Sequence, residues 1–187
     1  TQNMIIDGTA IAADILAGTK HKVEAFVHAP VVRAITVAPN AATESYLRTK
    51  AARAADAGMT LDVVRLSDTS STEDVIAAVS KLGADAIIVQ LPLPSFIDMS
   101  SVLDAIPDTL DADVLSRGAR NAFMRQDMNA ILPPVAGAVD EICARARVPL
   151  TDQKAVVIGN GWLVGEPVAA WLRLKGARVS VMTRESS

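Results

Sequence analysis

The sequence predicts an α/β fold made of two successive units with parallel sheets. The first observation is that short apolar, β-branched runs alternate with amphipathic segments of helical length along most of the chain. The second is the composition: half of the 187 residues are hydrophobic but only 3% are aromatic, so Ala, Val, Ile and Leu form the core. The third is a glycine-rich turn between an apolar run and an amphipathic segment near the C-terminal end.

The first unit follows the order strand, helix, strand, helix, strand, which is typical of a βαβαβ unit with a parallel sheet. Thr43 is expected to cap its second helix, and Ser71 or Thr72 its third. Residues 107–128 are polar and weakly patterned, so they are expected to form a connector and site loop. The expected elements are an edge strand over about residues 5–7, strands over 31–38, 61–66 and 84–90, and helices over 8–27, 43–57, 72–82 and 99–105.

The second unit contains the glycine turn. In this pattern Gly159 allows a tight turn, Gly161 lets the backbone approach a pyrophosphate, and Gly165 lets a helix pack closely on a strand. The pattern predicts the start of a Rossmann-like, dinucleotide-binding βαβ unit; the alternative is a tight turn without a ligand. Because two strands cannot form a stable sheet alone, the unit is expected to be incomplete. Its expected elements are helices over about residues 135–145 and 168–174 and strands over 155–158 and 177–182.

The end of the second strand favours NADP over NAD as the cofactor. Thr183 and Arg184 stand where an NAD-binding unit often places an acid, and an Arg suits a 2′-phosphate. Glu185 is adjacent and points the other way. The candidate cofactor-binding residues are Gly159, Asn160, Gly161, Trp162, Gly165, Thr183 and Arg184.

Composition excludes several classes of function. The net charge of −3 and the pI near 5.3 argue against a nucleic-acid partner. No apolar stretch approaches the roughly 20 residues that a membrane helix needs, and the start lacks the layout of a signal peptide. We therefore expect no membrane partner and a cytoplasmic location. Cys143 is the only cysteine and the two histidines, His21 and His28, share one helical region, so no metal site is expected.

Three segments of the first unit are expected to meet at the carboxyl ends of the strands, where open parallel sheets bind ligands. Tyr46 and Lys50 lie four residues apart near the N-terminal end of a predicted helix, so they share a face, and Lys50 is a candidate acid or base. Gln90 closes the third strand and both donates and accepts hydrogen bonds. Asp113, in the connector, is able to accept hydrogen bonds from an amino-substituted heterocycle. The alternatives are a solvated lysine beside a core tyrosine, a strand-end cap and a solvated carboxylate.

Taken together, these motifs resemble the methylenetetrahydrofolate dehydrogenase/cyclohydrolase family over nearly the whole chain. Residues 5–8 (Ile-Ile-Asp-Gly) are similar to the family's opening, and residues 45–50 (Ser-Tyr-Leu-Arg-Thr-Lys) to its Tyr-x-x-x-Lys helix. Residues 89–94 (Val-Gln-Leu-Pro-Leu-Pro) match a very specific family motif. The turn at residues 159–167 resembles the family's Gly-x-Ser-x-x-x-Gly-x-Pro cofactor turn, with Gly161 in place of the serine.

The resemblance implies a catalytic, folate-binding domain over residues 1–132 and a Rossmann-like NADP-binding domain over residues 133–187, with a folate cleft between them and a homodimeric assembly. The implied activity is transfer of hydride from 5,10-methylenetetrahydrofolate to NADP⁺, followed by hydrolysis of the methenyl product to 10-formyltetrahydrofolate, in one-carbon metabolism.

The resemblance also implies the role of each residue in the folate site. By the match, Lys50 is the acid/base for water addition and ring opening, and Tyr46 stacks on the folate and positions it for catalysis. Gln90 holds Lys50 and the reacting region in place. Pro92 belongs to the folate-binding turn, and Asp113 binds the amino edge of the pterin.

Two segments depart from the family's pattern. Residues 110–114 (Leu-Asp-Ala-Asp-Val) stand where the family usually has Lys-Asp-Val-Asp-Gly. Both aspartates remain, but Val114 replaces a flexible glycine, so a different loop path is expected. Residues 133–136 (Pro-Pro-Val-Ala) replace Pro-Cys-Thr-Pro. Two alternatives therefore stay open: a dehydrogenase without the hydrolase activity, and a non-catalytic relative that binds nucleotide or folate.

Overall fold

The computed structural model describes residues 5–184, which form two compact units. The first unit is Asp7–Ala122, and the second comprises residues 123–184 with Ile5 and Ile6. The functional boundary expected between residues 132 and 133 remains a prediction. No helix in the described range is long and apolar enough to cross a membrane. In chain order the elements are α1 (Gly8–Val23), β1 (Val31–Val37), α2 (Ala41–Asp56), β2 (Thr60–Leu66), α3 (Thr72–Ser80), β3 (Ala86–Val89), α4 (Met99–Asp104), α5 (Arg117–Arg125), α6 (Pro134–Arg145), β4 (Lys154–Ile158), α7 (Gly165–Leu174) and β5 (Arg178–Met182).

The first unit is built on a three-stranded parallel sheet in which β1 lies between β2 and β3. Ile35 of β1 and Ile87 and Val89 of β3 are buried, as are Val75 and Val79 of α3, which packs against β1. Burying each of these side chains contributes about 1.5–3 kcal/mol. The predicted α/β fold with parallel sheets is confirmed.

The start of the first unit differs from the prediction, because residues 5–7 form no strand. Asp7 instead caps α1: its carboxylate accepts hydrogen bonds from the amides of Thr9 and Ala10, each at 3.0 Å. An aspartate just before a helix satisfies amides that have no partner within the helix, and this favours a cap over a strand.

Two further helix ends are set by capping side chains. Asn40, not Thr43, caps α2, since its Oδ1 accepts from the Thr43 amide at 2.9 Å. Ser71, one of the two residues predicted to cap α3, caps it together with Asp74 in a reciprocal capping box. α1 ends at Val23, earlier than predicted, and buries none of its residues.

α5 is an element that the sequence did not predict, because residues 107–128 were expected to be a connector. Its start is fixed by side chains from outside the helix: Asp104 accepts from the Arg117 amide at 2.9 Å, and the Ser116 hydroxyl accepts from the Ala119 amide at 3.1 Å. Only Ala119 and Phe123, four residues apart, are buried apolar positions of the helix. So short an apolar stripe gives a weak periodic signal.

The second unit contains β4 and β5, which pair in parallel, and α7, which packs against both. Gly159, at the end of β4, has a φ of +97°, a conformation that favours glycine. A Cβ on Gly165 would lie 2.1 Å from the Gly159 carbonyl oxygen and 3.1 Å from the Asn160 Cα, so only glycine lets the helix start touch the turn. A Cβ on Gly161 would meet nothing within 4 Å.

We predict that Gly165→Ala destabilises the second unit and that Gly161→Ala does not. The first substitution forces the helix start away from backbone atoms that no rotamer change can move, and should lower the free energy of unfolding by about 1–3 kcal/mol. The second should stay within about 0.5 kcal/mol of the parent. Urea unfolding followed by the fluorescence of Trp171, which is buried in the same unit, measures both. Equal midpoints for the two variants would refute the close-packing argument.

Candidate active site

The candidate site is centred on a hydrogen bond between α2 and the end of β3. The Lys50 Nζ donates to the Gln90 Oε1 at 3.1 Å, and both side chains are partly buried. Gln90 directly follows Val89, the last residue of β3, and its amide donates to the Ile35 carbonyl in β1 at 2.8 Å. The acceptor of the lysine amine is therefore attached to the sheet.

The orientation of the Gln90 amide is fixed by its other end. Its Nε2 donates to the Leu91 carbonyl at 3.0 Å, which leaves the Oε1 to accept from Lys50. The Leu91–Pro92 peptide bond is cis, and Pro92 is exposed next to the site. Gln90 thus has one partner on each side of its amide group, and its oxygen faces the lysine.

Tyr46 lies one helical turn before Lys50 on the same face of α2. Its side chain is 66% exposed, so the ring is open to a ligand and does not belong to the core. The neighbouring Leu47 is buried and anchors the helix. Lys50 is the tenth residue of this 16-residue helix, not near its N-terminal end as expected, so the positive end of the helix dipole does not reach it.

The loop that carries Asp113 is attached to the same strand as Gln90. Asp111 forms an isolated parallel bridge with Ile87 of β3: the Ile87 amide donates to the Leu110 carbonyl at 2.7 Å, and the Ala112 amide donates to the Ile87 carbonyl at 3.1 Å. Asp111 thus pairs with β3 as a single residue on the side of that strand that does not face β1. Its partner, Ile87, lies three residues before Gln90 in the chain.

Val114 adopts a backbone conformation that normally favours glycine. Its φ is +56°, its side chain is buried, and its amide donates to the Asp111 carbonyl at 3.3 Å. Valine therefore adopts angles that glycine reaches more readily, and the expectation of a different loop path stays a prediction. The left-handed conformation costs a non-glycine residue about 1–2 kcal/mol, so surrounding contacts hold this turn in place.

The Asp113 carboxyl titrates above its ordinary range. Burial raises its pKa above 3.8, the positive charge of Lys50 opposes that rise, and the negative charge of Asp111 adds to it. Asp113 is therefore close enough to Lys50 for the two charges to interact. The structure joins Lys50 to Gln90 by a hydrogen bond and places Asp113 within electrostatic range of Lys50, with Tyr46 one helical turn before Lys50.

The glycine turn forms a second candidate site, at the carboxyl ends of β4 and β5. The Gly159 amide donates to the Met182 carbonyl at 2.7 Å, so Thr183 and Arg184, which follow Met182, lie beside the turn. No side chain caps the start of α7. The candidate residues Asn160, Gly161, Thr183 and Arg184 are exposed, Trp162 is partly buried, and Glu185 is outside the described residues.

Two residues that shape the first site were not among the predicted site residues. Asp111 is 1% exposed, and its Oδ2 accepts from the amides of Leu115 and Ser116 at 2.8 and 2.7 Å. Ser116, also buried, directly precedes α5, and its hydroxyl accepts from the Ala119 amide. An aspartate followed within five residues by a serine that starts a helix is the signal that was available for both.

This arrangement suits proton transfer to a bound heterocycle. Lys50 offers an amine whose position is fixed, Asp113 offers a partly buried carboxyl, and Tyr46 offers an exposed aromatic face. Lysine amines and aspartate carboxyls held in this way are among the general acids and bases that enzymes use.

A family model for the catalytic domain of tetrahydrofolate dehydrogenase/cyclohydrolase matches residues 6–113, more than half of the chain. Among curated relatives, the bifunctional protein FolD of Chlamydia trachomatis is 29% identical over 178 residues, which is 93% of this chain and 62% of that protein. The bifunctional protein FolD of Staphylococcus aureus is 31% identical over 189 residues, or 97% of this chain and 66% of that protein. The chain therefore spans less than two thirds of the length of these relatives.

Solved structures agree with this relationship. The bifunctional FolD dehydrogenase/cyclohydrolase of Campylobacter jejuni has a TM-score of 0.91 at 26% identity, with 97% of this chain and 67% of that chain covered. FolD of Trypanosoma brucei, solved with NADP cofactor and inhibitor, has a TM-score of 0.88 at 28% identity, with 98% of this chain and 65% of that chain covered. The chain belongs to the tetrahydrofolate dehydrogenase/cyclohydrolase family.

Proposed function

We propose that this protein oxidises 5,10-methylenetetrahydrofolate to the methenyl compound with NADP⁺ and hydrolyses that product to 10-formyltetrahydrofolate, in one-carbon metabolism. The observation that carries the proposal is the 3.1 Å hydrogen bond from the Lys50 Nζ to the Gln90 Oε1, within electrostatic range of Asp113. A protein that only binds nucleotide or folate has no need of an amine held in this way.

Lys50 is the proton carrier of the hydrolysis. The hydrolysis starts from Lys50 as a neutral amine, its ammonium having released one proton to solvent. A water oxygen then bonds to the methenyl carbon while this amine takes a proton from that water. Lys50 then gives the proton to N5 as the bond between that carbon and N5 breaks, and the remaining hydroxyl proton leaves to solvent as the formyl group forms. Gln90 holds the amine in one position throughout, because its Oε1 accepts from the amine and its own amide is fixed to the sheet.

The oxidation step needs mainly positioning by this chain. When bound, NADP⁺ accepts the hydride from the one-carbon bridge of the substrate. Tyr46, with its exposed ring, stacks on the folate, and Asp113 accepts hydrogen bonds from the amino edge of the pterin. Pro92 lines the turn beside them. These contacts convert a bimolecular reaction into one between aligned partners.

The cofactor is proposed to bind at the glycine turn. No side chain caps the start of α7, so the N–H of Gly165 and the positive end of the helix dipole are offered to the pyrophosphate; the Glu166 amide already donates to the Gly161 carbonyl, and Pro167 has no N–H. Gly161 leaves room for the approach, and Arg184 pairs with the 2′-phosphate. The T. brucei relative solved with NADP supports this choice of cofactor. The remaining proposed cofactor contacts are Gly159, Asn160, Trp162, Gly165 and Thr183.

A homodimeric assembly and a cytoplasmic location complete the proposal. Both rest on the family relationship. Size-exclusion chromatography with light scattering of the protein at micromolar concentration tests the first.

We predict that Lys50→Met abolishes hydrolysis of 5,10-methenyltetrahydrofolate, because methionine keeps the length of the side chain and carries no proton. The rate of formyl formation should fall at least about 100-fold, the lower range for loss of a general acid/base. Lys22→Met, which changes an exposed lysine of α1, is the matched control and should keep the parent rate. Formyl formation at the parent rate by Lys50→Met would refute the role of Lys50. A parent protein that oxidises the methylene compound but does not hydrolyse the product would establish the dehydrogenase-only alternative.

We predict that Arg184→Ala weakens binding of NADPH but leaves binding of NADH unchanged. Loss of hydrogen bonds between charged groups costs about 1.5–3 kcal/mol, so the Kd for NADPH should rise at least about tenfold. Quenching of Trp162 fluorescence reports binding, with Trp162→Phe to show that the signal comes from the turn and not from the buried Trp171. An equal loss of affinity for both cofactors would assign another role to Arg184.

We predict that Asp113→Asn stabilises the protein at neutral pH and impairs folate binding. Because the folded state raises the pKa of this carboxyl above 3.8, it holds the proton more tightly than the unfolded chain does, and ionisation of Asp113 opposes folding at neutral pH. The advantage of the asparagine should disappear as the pH falls through the raised pKa. Urea unfolding at several pH values, together with titration of tetrahydrofolate, measures both effects.

Asp98→Asn gives the control of opposite sign for that experiment. The hydroxyl and amide of Ser101 lower the pKa of Asp98, so its ionised form supports folding above the ordinary pKa, and that support is lost as the pH falls. Its asparagine variant should be less stable than the parent at neutral pH. If Asp113→Asn showed this same direction, the stated electrostatics of Asp113 would be wrong.

A further inference from the structure

Asp111 is a buried carboxylate whose two oxygens have different surroundings. The Oδ2 accepts hydrogen bonds from the amides of Leu115 and Ser116, at 2.8 and 2.7 Å. The Oδ1 is buried and makes no hydrogen bond. A buried charged group with only one oxygen satisfied is uncommon, and such groups concentrate where function requires them.

We propose that Asp111 is a positioning residue for Asp113: it closes the loop of residues 111–116 and so holds the Asp113 carboxyl within electrostatic range of the Lys50 amine. This inference rests on the proposed function of the same site and adds to it a residue outside the set that contacts substrate.

The geometry of the loop carries the inference. On one side, the backbone at Asp111 is fixed to β3 through the bridge with Ile87. On the other side, the amides of Leu115 and Ser116 return to the Asp111 side chain. Residues 112–114 lie between these two anchors, with Asp113 in the middle. Any displacement of the Asp111 carboxylate therefore moves Asp113.

The second anchor is also what keeps Val114 in its left-handed conformation. Leu115 and Ser116 are buried, so without the Asp111 Oδ2 their amides would lose their acceptor away from water. The loop would then rearrange to find other partners, and Val114 would leave its unfavourable φ of +56°. The path that brings Asp113 to Lys50 would be lost with it.

The charge of Asp111 has a separate effect. Two charged groups act on Asp113: the ammonium of Lys50 on α2 and the carboxylate of Asp111 in the loop. Burial is the main reason that the pKa of Asp113 is raised, and the negative charge of Asp111 raises it further. Asp111 thus contributes both a position and a charge, and the two contributions are separable by substitution.

The substitutions Asp111→Asn and Asp111→Glu separate the effect of the position of Asp111 from the effect of its charge. An asparagine oxygen has two lone pairs and accepts both amides, so it keeps the loop closed but removes the charge. Its Nδ2 replaces an Oδ1 that has no hydrogen-bond partner, so this variant should also lose thermal stability. A glutamate keeps the charge but moves the carboxylate by one methylene in a site that is 1% exposed. Asp104→Ala, which removes an acceptor from the Arg117 amide at the start of the same helix without touching the loop, is the control.

The measurements are the KM for 5,10-methylenetetrahydrofolate and the pKa of the Asp113 carboxyl by NMR. The KM should rise about tenfold to hundredfold in Asp111→Glu, the scale of a misplaced substrate contact, and stay near the parent value in Asp111→Asn and Asp104→Ala. The pKa of Asp113 should be lower in Asp111→Asn than in the parent. A parent-like KM in Asp111→Glu, even with lower thermal stability, would reduce Asp111 to a structural role and overturn the inference.

The proposed function and the positioning role fail in different ways. If the parent protein does not oxidise the methylene compound, the proposed function is wrong. The positioning role is still testable by NMR without substrate, through hydrogen exchange of the Leu115 and Ser116 amides. Exchange should stay slow in Asp111→Asn and become faster in Asp111→Glu. Unchanged exchange in both variants would contradict the closure of the loop by Asp111.

Discussion

The hydrogen bond from Lys50 to Gln90 is the constraint on which the proposed folate site depends. A lysine side chain has four flexible carbons, and an amine that moves freely is a poor proton carrier at one atom of a substrate. Here the acceptor, Gln90, is held by two hydrogen bonds of its own. Its backbone amide donates to the Ile35 carbonyl of β1, and its side-chain Nε2 donates to the Leu91 carbonyl. The amine itself leaves a helix that buried Leu47 holds on the core. The parallel sheet makes this meeting possible, because it brings the end of β3 to the edge where α2 begins.

The aspartate loop shows how contacts decide a backbone conformation against residue preference. A left-handed valine costs about 1–2 kcal/mol. Hydrogen bonds to a charged acceptor are worth about 1.5–3 kcal/mol each, and Asp111 accepts two of them from Leu115 and Ser116. The anchors therefore outweigh the strain, and Val114 holds its left-handed conformation although it stands where the family usually has glycine. Glycine would give this turn more backbone flexibility. With valine in its place, the loop depends on the hydrogen bonds to the Asp111 carboxylate and on the bridge to Ile87.

The parts of the structure that could be predicted from sequence are those encoded by near neighbours. The alternation of apolar runs predicted the first sheet, and four-residue spacing put Tyr46 and Lys50 on one face. The missed parts depend on residues far apart or on competition between caps. α5 begins because Asp104 reaches Arg117, thirteen positions later, and no periodic pattern contains that contact. Asn40 and Thr43 are both acceptable caps by type, and only the geometry of the turn chooses between them. The burial of Asp111 likewise follows from its bridge to Ile87, not from its neighbours in sequence.

The two candidate sites impose their requirements on the chain in different ways. The glycine turn is a steric requirement: the contact of Gly165 with the Gly159 carbonyl leaves no space for a side chain, so the sequence alone reveals it. The proposed folate site instead contains residues in energetically unfavourable states that the surrounding packing holds in place. A partly buried acid with a raised pKa and a left-handed valine lie next to each other in the chain, and each makes folding less favourable at neutral pH. Strain of this kind persists only where the surrounding structure over-determines it, and here the bridge to β3 and the Asp111 carboxylate do so from both sides. Left-handed residues also occur in turns elsewhere in the chain, at Gln126, Arg147 and Asp152, so the strain at Val114 alone carries no function. The buried acid with a raised pKa within electrostatic range of Lys50 is what supports a chemical role for this edge of the sheet.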